Sequence, residues 1–250
     1  MIALISPAKG MSDGVEPIAE LHSLPRFTEH TELIAREMRR YSTEELIEVF
    51  RVSRTIAEEL CVRFQNFFND ESTLLPAVEC YDGVVYKRFK KAAANHQYLQ
   101  SRVRISSLMY GLLRPYDLIR PYRMEGYVWL IGSGERIDNY WRNKQTETLI
   151  NDVKAIGGTL LYLASKEEQN SFVWHDVTSA VRVIDFKFLQ NKGGKLKQVV
   201  VYTKMARGEM IRYMIENEIT EPDDLKAFEW EGYTYRPDLS TPNEWVWVVM

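Results

Sequence analysis

The sequence predicts an α+β fold: one domain over residues 1–250, with a mixed β-sheet surrounded by helices. Three observations lead there. Apolar residues recur at helical spacing through the first half, and three runs in the second half read as strands. The two kinds of segment do not alternate strictly, so a doubly wound parallel sheet is not expected. At 250 residues, 45% of them hydrophobic, the chain is long enough to bury a substantial core.

The first element, Ile2–Ile5, reads as a short buried strand that Pro7 and Gly10 bring to an end. Leu33, Ile34, Glu37 and Met38 lie on a helical period. Ser42 and Glu45 then have the spacing of a capping box and open a helix whose apolar face is Leu46, Val49 and Phe50. After a break at Val52-Ser53, helical spacing resumes with Ile56, Leu60, Phe64 and Phe67. Ala77–Tyr86 is irregular around Gly83, and a long helix is expected to run on to about Gly111, with Arg114-Pro115 as its stop. A further helix covers Asn139–Ala155 and ends at Gly157-Gly158. Thr159–Ala164, Val181–Phe188 and Leu196–Thr203 are the three strands, the last two joined by a turn at Asn191-Lys192-Gly193-Gly194. A helix over Ala206–Asn217 and a terminal strand over Trp245–Val249 complete the pattern.

Composition removes several classes of function. Cys61 and Cys80 form no CxxC pair, and two scattered thiols suit a reducing compartment. The start lacks the basic n-region of a signal peptide, and no apolar run is long enough to span a bilayer, so a cytoplasmic protein with no membrane partner is expected. His22, His30, His96 and His175 show no metal-ligand spacing, and no cofactor or metal is expected. Without a GxSxG elbow, serine-hydrolase chemistry has no support.

Charge is distributed unevenly around a net of −3. From Val84 to Arg123 there are nine basic residues (Lys87, Arg88, Lys90, Lys91, Arg102, Arg104, Arg114, Arg120, Arg123) against Asp117, with Tyr86, Phe89, Tyr98, Tyr110, Tyr116 and Tyr122 among them. Lys187–Arg212 holds seven more against Glu209, whereas Glu216–Glu244 is acidic. Basic side chains track a phosphate backbone and aromatic faces stack on unpaired bases, so the interleaving fits a nucleic-acid cleft. Solvated helix faces with core tyrosines are the alternative.

The polar residues at element ends are the candidates for chemistry. Ser6 and Lys9 follow the first strand, where ligand crevices open in sheet-containing folds; they suit a phosphate, or else a capping serine and a solvated lysine. Arg114 and Asp117 sit in a turn held by Pro115 and Pro121, with Tyr122 and Arg123 close by. An arginine fork there would bind phosphate, or Arg114 and Asp117 would pair internally. Lys204, Arg207 and Gly208 fall where the third strand is expected to meet a helix N-terminus, a favourable place for an anion. With Arg104 from the first basic block, the candidate phosphate- or nucleic-acid-binding set is Ser6, Lys9, Arg104, Arg114, Asp117, Tyr122, Arg123, Lys204 and Arg207. Ser165 and Glu167, after the strand Leu160–Ala164, are the candidates for a nucleophile or acid–base pair, or for a helix cap with its acid.

Several segments resemble the YaaA family of peroxide-stress proteins in order and spacing. They are Leu4-Ile5-Ser6-Pro7-Ala8-Lys9, and Leu108-Met109-Tyr110-Gly111-Leu112-Leu113-Arg114-Pro115 continuing through Tyr116-Asp117-Leu118-Ile119-Arg120-Pro121-Tyr122-Arg123. Leu163-Ala164-Ser165, Ala206-Arg207-Gly208, Ile215-Glu216-Asn217 and Glu231-Gly232-Tyr233 follow. Two places depart from the family pattern. Val84 stands where an Asp is frequent, and a double Lys is reduced to Lys204-Met205.

The resemblance implies a role in surviving hydrogen peroxide by limiting free iron and the DNA damage it promotes. It implies an unusual single-domain α+β fold with a positively charged cleft and a helix-hairpin-helix element, which would fall at Thr43–Phe64. The resulting expectation is a monomeric, DNA-binding stress protein. An enzyme acting on a nucleobase or nucleotide in the same cleft is the alternative, and whether the chain is an enzyme stays open.

Overall fold

The structure, a computed structural model, describes residues 1–12, 22–69, 74–90 and 95–249. Strand β1 (Ile2–Ile5) leads to helices α1 (Thr28–Met38), α2 (Thr43–Phe50) and α3 (Arg54–Gln65). Short elements follow: β2 (Leu75–Pro76), α4 (Ala77–Cys80), α5 (Val84–Phe89) and α6 (His96–Arg102). Next come β3 (Val103–Ser107), β4 (Gly111–Leu113), β5 (Leu118–Ile119), β6 (Trp129–Leu130), β7 (Glu135–Arg136) and the long α7 (Ile137–Ala155). The last part holds β8 (Thr159–Tyr162), α8 (Trp174–Ala180), β9 (Arg182–Lys192), β10 (Lys195–Lys197), α9 (Val200–Glu216), β11 (Thr234–Tyr235) and β12 (Glu244–Val249).

One mixed sheet of eight strands organises these elements, in the order β11-β12-β9-β8-β1-β3-β4 with β10 paired to β9. The fold is α+β, as expected. The five central strands of this sheet, β12 to β3, are nevertheless all parallel, and within it antiparallel pairing is confined to β4, β10 and β11; β2–β5 and β6–β7 form two small antiparallel pairs apart from it. Parallel neighbours need a crossover, and the helical segments between β1 and β3, β8 and β9, and β9 and β12 supply it.

The central strands are buried on both faces. Ala3, Ile5, Val103, Ile105, Leu161, Ile184 and Phe186 face a large core that includes Met210 and Met214 of α9. Ile2, Leu4, Leu160 and Tyr162 face a smaller one with Leu149 and Val153 of α7 and Val177 of α8. Each such side chain removed from water contributes about 1.5–3 kcal/mol.

Local signals place several elements as expected. Ser42 Oγ accepts from Glu45 N while Glu45 Oε2 accepts from Ser42 N at 2.8 Å, so the capping box is formed. α2 and α3 pack through Leu46, Phe50, Leu60 and Phe64, with Phe50 and Phe64 ring centroids 6.3 Å apart. Arg51, in the left-handed region at φ 52°, turns the chain between them. The Asn191–Gly194 turn closes the β9–β10 hairpin.

Two expectations are corrected. The long helix towards Gly111 does not form: α5 and α6 are short, and Val103–Ser107 is a fully buried strand. Arg104, Ser106 and Ser107 disguise it, because polar residues in a short run erase the hydrophobic signature of a strand buried on both faces. The strand Leu196–Thr203 is also too long. β10 stops at Lys197, and α9 starts at Val200 despite the β-branched Val200 and Val201, because Thr203, Ala206 and Met210 bury one helical face. Tertiary packing there overrides local propensity.

Candidate functional site

The parallel strands β1, β3 and β8 end together at one edge of the sheet, and a set of polar side chains converges there. Ser6 follows β1, Ser106 and Ser107 close β3, and Ser165 and Glu168 follow β8. Ser6 Oγ accepts from Ser165 N at 2.8 Å, and Ser6 O accepts from the Tyr86 hydroxyl at 2.8 Å. Tyr81, Tyr122 and Ser107 form a buried chain of hydroxyls, each link 2.7 Å. Gly83 brings the α5 segment against this loop, since a Cβ there would lie 2.7 Å from Ala8 Cβ.

Glu168 supplies the carboxyl of this edge. Burial pushes its pKa up to about 7; the nearby Ser106 and Ser6 hydroxyls lower it in part, and the adjacent Glu167 raises it. Ser106 Oγ, although close enough to influence this carboxyl, has no well-directed hydrogen bond of its own. At such a pKa the carboxyl gives or takes a proton near neutrality, the condition general acid–base chemistry requires. Glu167 itself is exposed, while Glu168 is half-buried. Both lie in a 3₁₀ turn, Lys166–Ser171, where successive side chains point about a third of a turn apart, so adjacent glutamates face different surroundings. Ser165 is the N-cap of that turn without a side-chain capping bond; its carbonyl accepts from the Tyr162 hydroxyl at 2.5 Å.

Cations flank the edge on both sides. Lys9 Nζ lies 2.7 Å from Glu125 Oε2, and Arg123 lies 3.1 Å from Glu125 Oε1, so one largely buried carboxylate draws both together. Arg207 reaches in from α9. Burial lowers its pKa, with Tyr162 and Asp185 opposing. Arg123 Nε and Arg207 Nε are both buried without a hydrogen-bond partner. Buried donors without a partner are uncommon in native structures, and a polar ligand could complete them.

β9 continues well past the end of β8, which pairs as far as Tyr162 opposite Asp185. Gln190 pairs with both Val249 of β12 and Lys197 of β10, so β10 lies on the β8 side of β9. The β9–β10 hairpin therefore stands above the carboxyl end of β8 and carries Lys192, Lys195 and Lys197, all exposed. Lys204 is exposed on α9, one turn before Arg207.

The other candidates lie elsewhere. β4 runs antiparallel from Gly111 opposite Ser107 to Leu113 opposite Ile105, which carries Arg114 and Asp117 towards the amino end of β3. Asp117 is fully buried and accepts from Arg114 N, Arg114 Nε and Ser23 Oγ, so the pair stabilises its own turn. Arg104 is buried as well, bound to Asp152 Oδ2 at 2.5 Å and to the carbonyls of Gln100, Ser101 and Val103. Lys204, Arg207 and Gly208 lie inside α9 rather than at its start, because the helix begins earlier than the sequence suggests. The closeness at Gly208 serves the contact with α5, not an anion.

The first basic block is largely neutralised by tertiary contacts. Lys87 pairs with Asp82, Arg88 with Glu209 and Arg123 with Glu125, while Lys90, Arg102 and Arg120 donate to the carbonyls of Glu79, Met1 and Asn69. Lys91 lies outside the described residues. Its six aromatics, Tyr86, Phe89, Tyr98, Tyr110, Tyr116 and Tyr122, are buried. They build the core and offer no exposed face to a base. Sequence reasoning missed Glu168, Ser106, Ser107 and Glu125. Recognising Val103–Ser107 as a strand would have brought Ser106 and Ser107 to the same edge as Ser6.

A family model described as peroxide stress protein YaaA matches residues 1–239. The chain belongs to the YaaA family. A UPF0246 protein of Bacteroides thetaiotaomicron is 41% identical over 252 residues, covering 99% of this chain and 98% of its own length. UPF0246 proteins of Porphyromonas gingivalis and Magnetococcus marinus are 39% and 35% identical, each over at least 98% of both chains. The YaaA match includes every residue of the strand-end cluster. The Val84 departure lies at the start of α5, next to Gly83 and so on the rim of this cluster. Among the described residues no helix is long and apolar enough to cross a membrane, and no three His, Cys, Asp or Glu side chains gather as a metal-ligand set.

Proposed function

We propose that this peroxide stress protein binds DNA at the carboxyl-end edge of its sheet and so helps to limit iron-promoted DNA damage. In this reading it acts in the cytoplasm as a monomer, one YaaA-like domain over residues 1–250. The observation that carries the reading is the set Lys192, Lys195, Lys197 and Lys204. These four lysines are exposed and have no ion pair among the described residues; three project on the hairpin beyond the carboxyl end of β8, and Lys204 lies one turn before Arg207 on α9. Unpaired lysines on a projecting hairpin suit a phosphate backbone. Contacts of this kind position a duplex without reading its bases, so binding is expected to be weakly sequence-dependent. The α2–α3 pair is a second candidate contact of the helix-hairpin-helix kind. Glu44 holds Arg54 there at 3.0 Å, so its contribution would come from backbone N–H groups.

Glu168 favours a second reading, an enzyme acting on a nucleobase or nucleotide. A carboxyl titrating near neutrality, within reach of the Ser6 and Ser106 hydroxyls, is equipped for proton transfer.

Fluorescence anisotropy with duplex, single-stranded and gapped DNA across a salt series tests the first reading. Affinity that falls steeply with salt, and weakens on replacing the hairpin lysines with alanine, supports it. Binding indifferent to both removes it. Release of base or phosphate from nucleotide substrates, lost in Glu168→Gln, tests the second.

A further inference from the structure

A cavity of about 260 Å³ opens between α8 and the β8–β9 pair, on the face of the sheet covered by α7 and α8. Tyr162 and Trp174 form its aromatic wall, with ring centroids 4.9 Å apart and planes at 62°. Gln169, Thr178, Arg182, Asp185 and Asn243 supply polar groups around it, with the Arg182 guanidinium donating to Pro242 O at 2.8 Å. We propose that this cavity is a binding site for a single amine-bearing heteroaromatic ring, the chemical class of cytosine and adenine.

Size sets the first limit. Pockets for drug-sized ligands run from about 300 to 1,000 Å³. This one is smaller, and it suits one or two fused rings without the sugar and phosphate of a whole nucleotide.

Polarity sets the second. Trp174 is half-buried, so part of its indole faces the cavity and offers a surface for stacking. Among the described residues, Asp185 is the only carboxylate in the lining. Its Oδ1 accepts from Phe186 N at 3.1 Å, and its Oδ2 lies 3.5 Å from Lys187 Nζ, a loose pair that leaves acceptor capacity unused. A carboxylate beside an indole face calls for a flat ligand with N–H donors on its edge. The side-chain amides of Gln169 and Asn243 would meet the mixed donors and acceptors of a base edge.

The cavity also adjoins the strand-end cluster. Tyr162 lines the cavity with its ring and bonds Ser165 O through its hydroxyl, and Glu168 and Gln169 are consecutive residues of one turn. Arg207, on α9 at the other face of the sheet, interacts electrostatically with both Tyr162 and Asp185, so a guanidinium lies near the edge of the cavity. A base taken out of its stack into such a pocket is the arrangement used by enzymes that act on bases. The inference rests on the nucleic-acid reading only for the source of the ring.

The test titrates the full chain with cytidine, adenosine, thymidine and methyl glucoside, by calorimetry and tryptophan fluorescence. Cytidine or adenosine should bind about tenfold or more tighter than thymidine, which lacks the exocyclic amine. Asp185→Asn should cost about tenfold or more, and Trp174→Phe should abolish the fluorescence change. Equal binding of thymidine, binding of the glucoside alone, or no binding of any nucleoside at millimolar concentration overturns the proposal. A chain that binds nucleosides but not DNA upholds the pocket and removes the DNA reading. One that binds DNA with a steep salt slope, but no nucleoside, removes the pocket alone.

Discussion

Gly208 of α9 lies directly against the carbonyl of Val85 in α5: a Cβ at position 208 would come within 2.4 Å of that oxygen and 2.7 Å of Arg88 Cβ. The contact brings the two helices together behind the candidate site, and Arg88 reaches Glu209 across it at 3.3 Å. The obstructing atom is backbone and cannot rotate away, so the helices must separate to admit a methyl group. Gly208→Ala is therefore expected to destabilise the protein by about 1–3 kcal/mol, despite the better helix propensity of alanine. Urea unfolding would measure it; a neutral or stabilising result would show that the helices are not so closely packed.

Glu168 makes stability depend on pH in a defined direction. Its folded pKa, about 7, lies above its ordinary value of 4.5, so between these values the folded state binds more protons than the unfolded state. Stability should then fall as pH rises through this window, by about 2–3 kcal/mol for this group. Glu168→Gln removes the titration, so the variant should gain on the parent from pH 5 to pH 8. Parallel stability profiles for the two proteins would show that the carboxyl titrates normally.

Asp152 has the opposite sign. Burial alone would raise its pKa, but hydrogen bonds and charge from Arg26 and Arg104 outweigh it and hold the carboxylate below its ordinary range. Its contribution is present above the unfolded pKa and lost as pH falls through the folded one. Asp152→Ala leaves the Arg104 side chain, 7% exposed, with carbonyl partners and no counter-charge. A loss of about 3 kcal/mol is expected, measured by denaturant unfolding at neutral pH. A loss below about 1 kcal/mol would mean that the carbonyls suffice.

The lysine hairpin and the Arg114 turn separate binding from stability. Replacing Lys192, Lys195 and Lys197 together with alanine should leave unfolding nearly unchanged. It should also reduce the slope of log affinity against log salt by about 2–3, roughly 0.9 for each phosphate no longer neutralised. Arg114→Ala should do the reverse. It uncovers the buried Asp117, at a cost of about 2–4 kcal/mol, and leaves the salt slope alone. Equal effects of both changes on DNA affinity would place the interface away from the strand-end edge.

Much of the fold was legible because its signals are local. The Ser42–Glu45 capping box, the Gly193-Gly194 turn and the strand Ile2–Ile5 each depend on a few neighbouring residues whose backbone preferences agree. Val103–Ser107 was not legible. Arg104 lies in a buried strand only because Asp152, distant in sequence, supplies a counter-charge. The candidate site was legible in part. Ser6, Lys9, Ser165, Lys204 and Arg207 reach or flank the strand-end edge, whereas Arg104, Arg114 and Asp117 are occupied by structural pairs.

By itself, then, the sequence determined the α+β class, the family and the positions of most helices, since these follow from periodicity, end signals and shared motifs. Only the tertiary structure decided which charges are free. Eight of the nine cations in the first basic block are described, and each meets a carboxylate or carbonyl brought to it by folding, whereas the hairpin lysines meet none. It likewise chose Glu168 over Glu167, because the phase of a 3₁₀ turn decides which of two adjacent carboxyls is taken out of water.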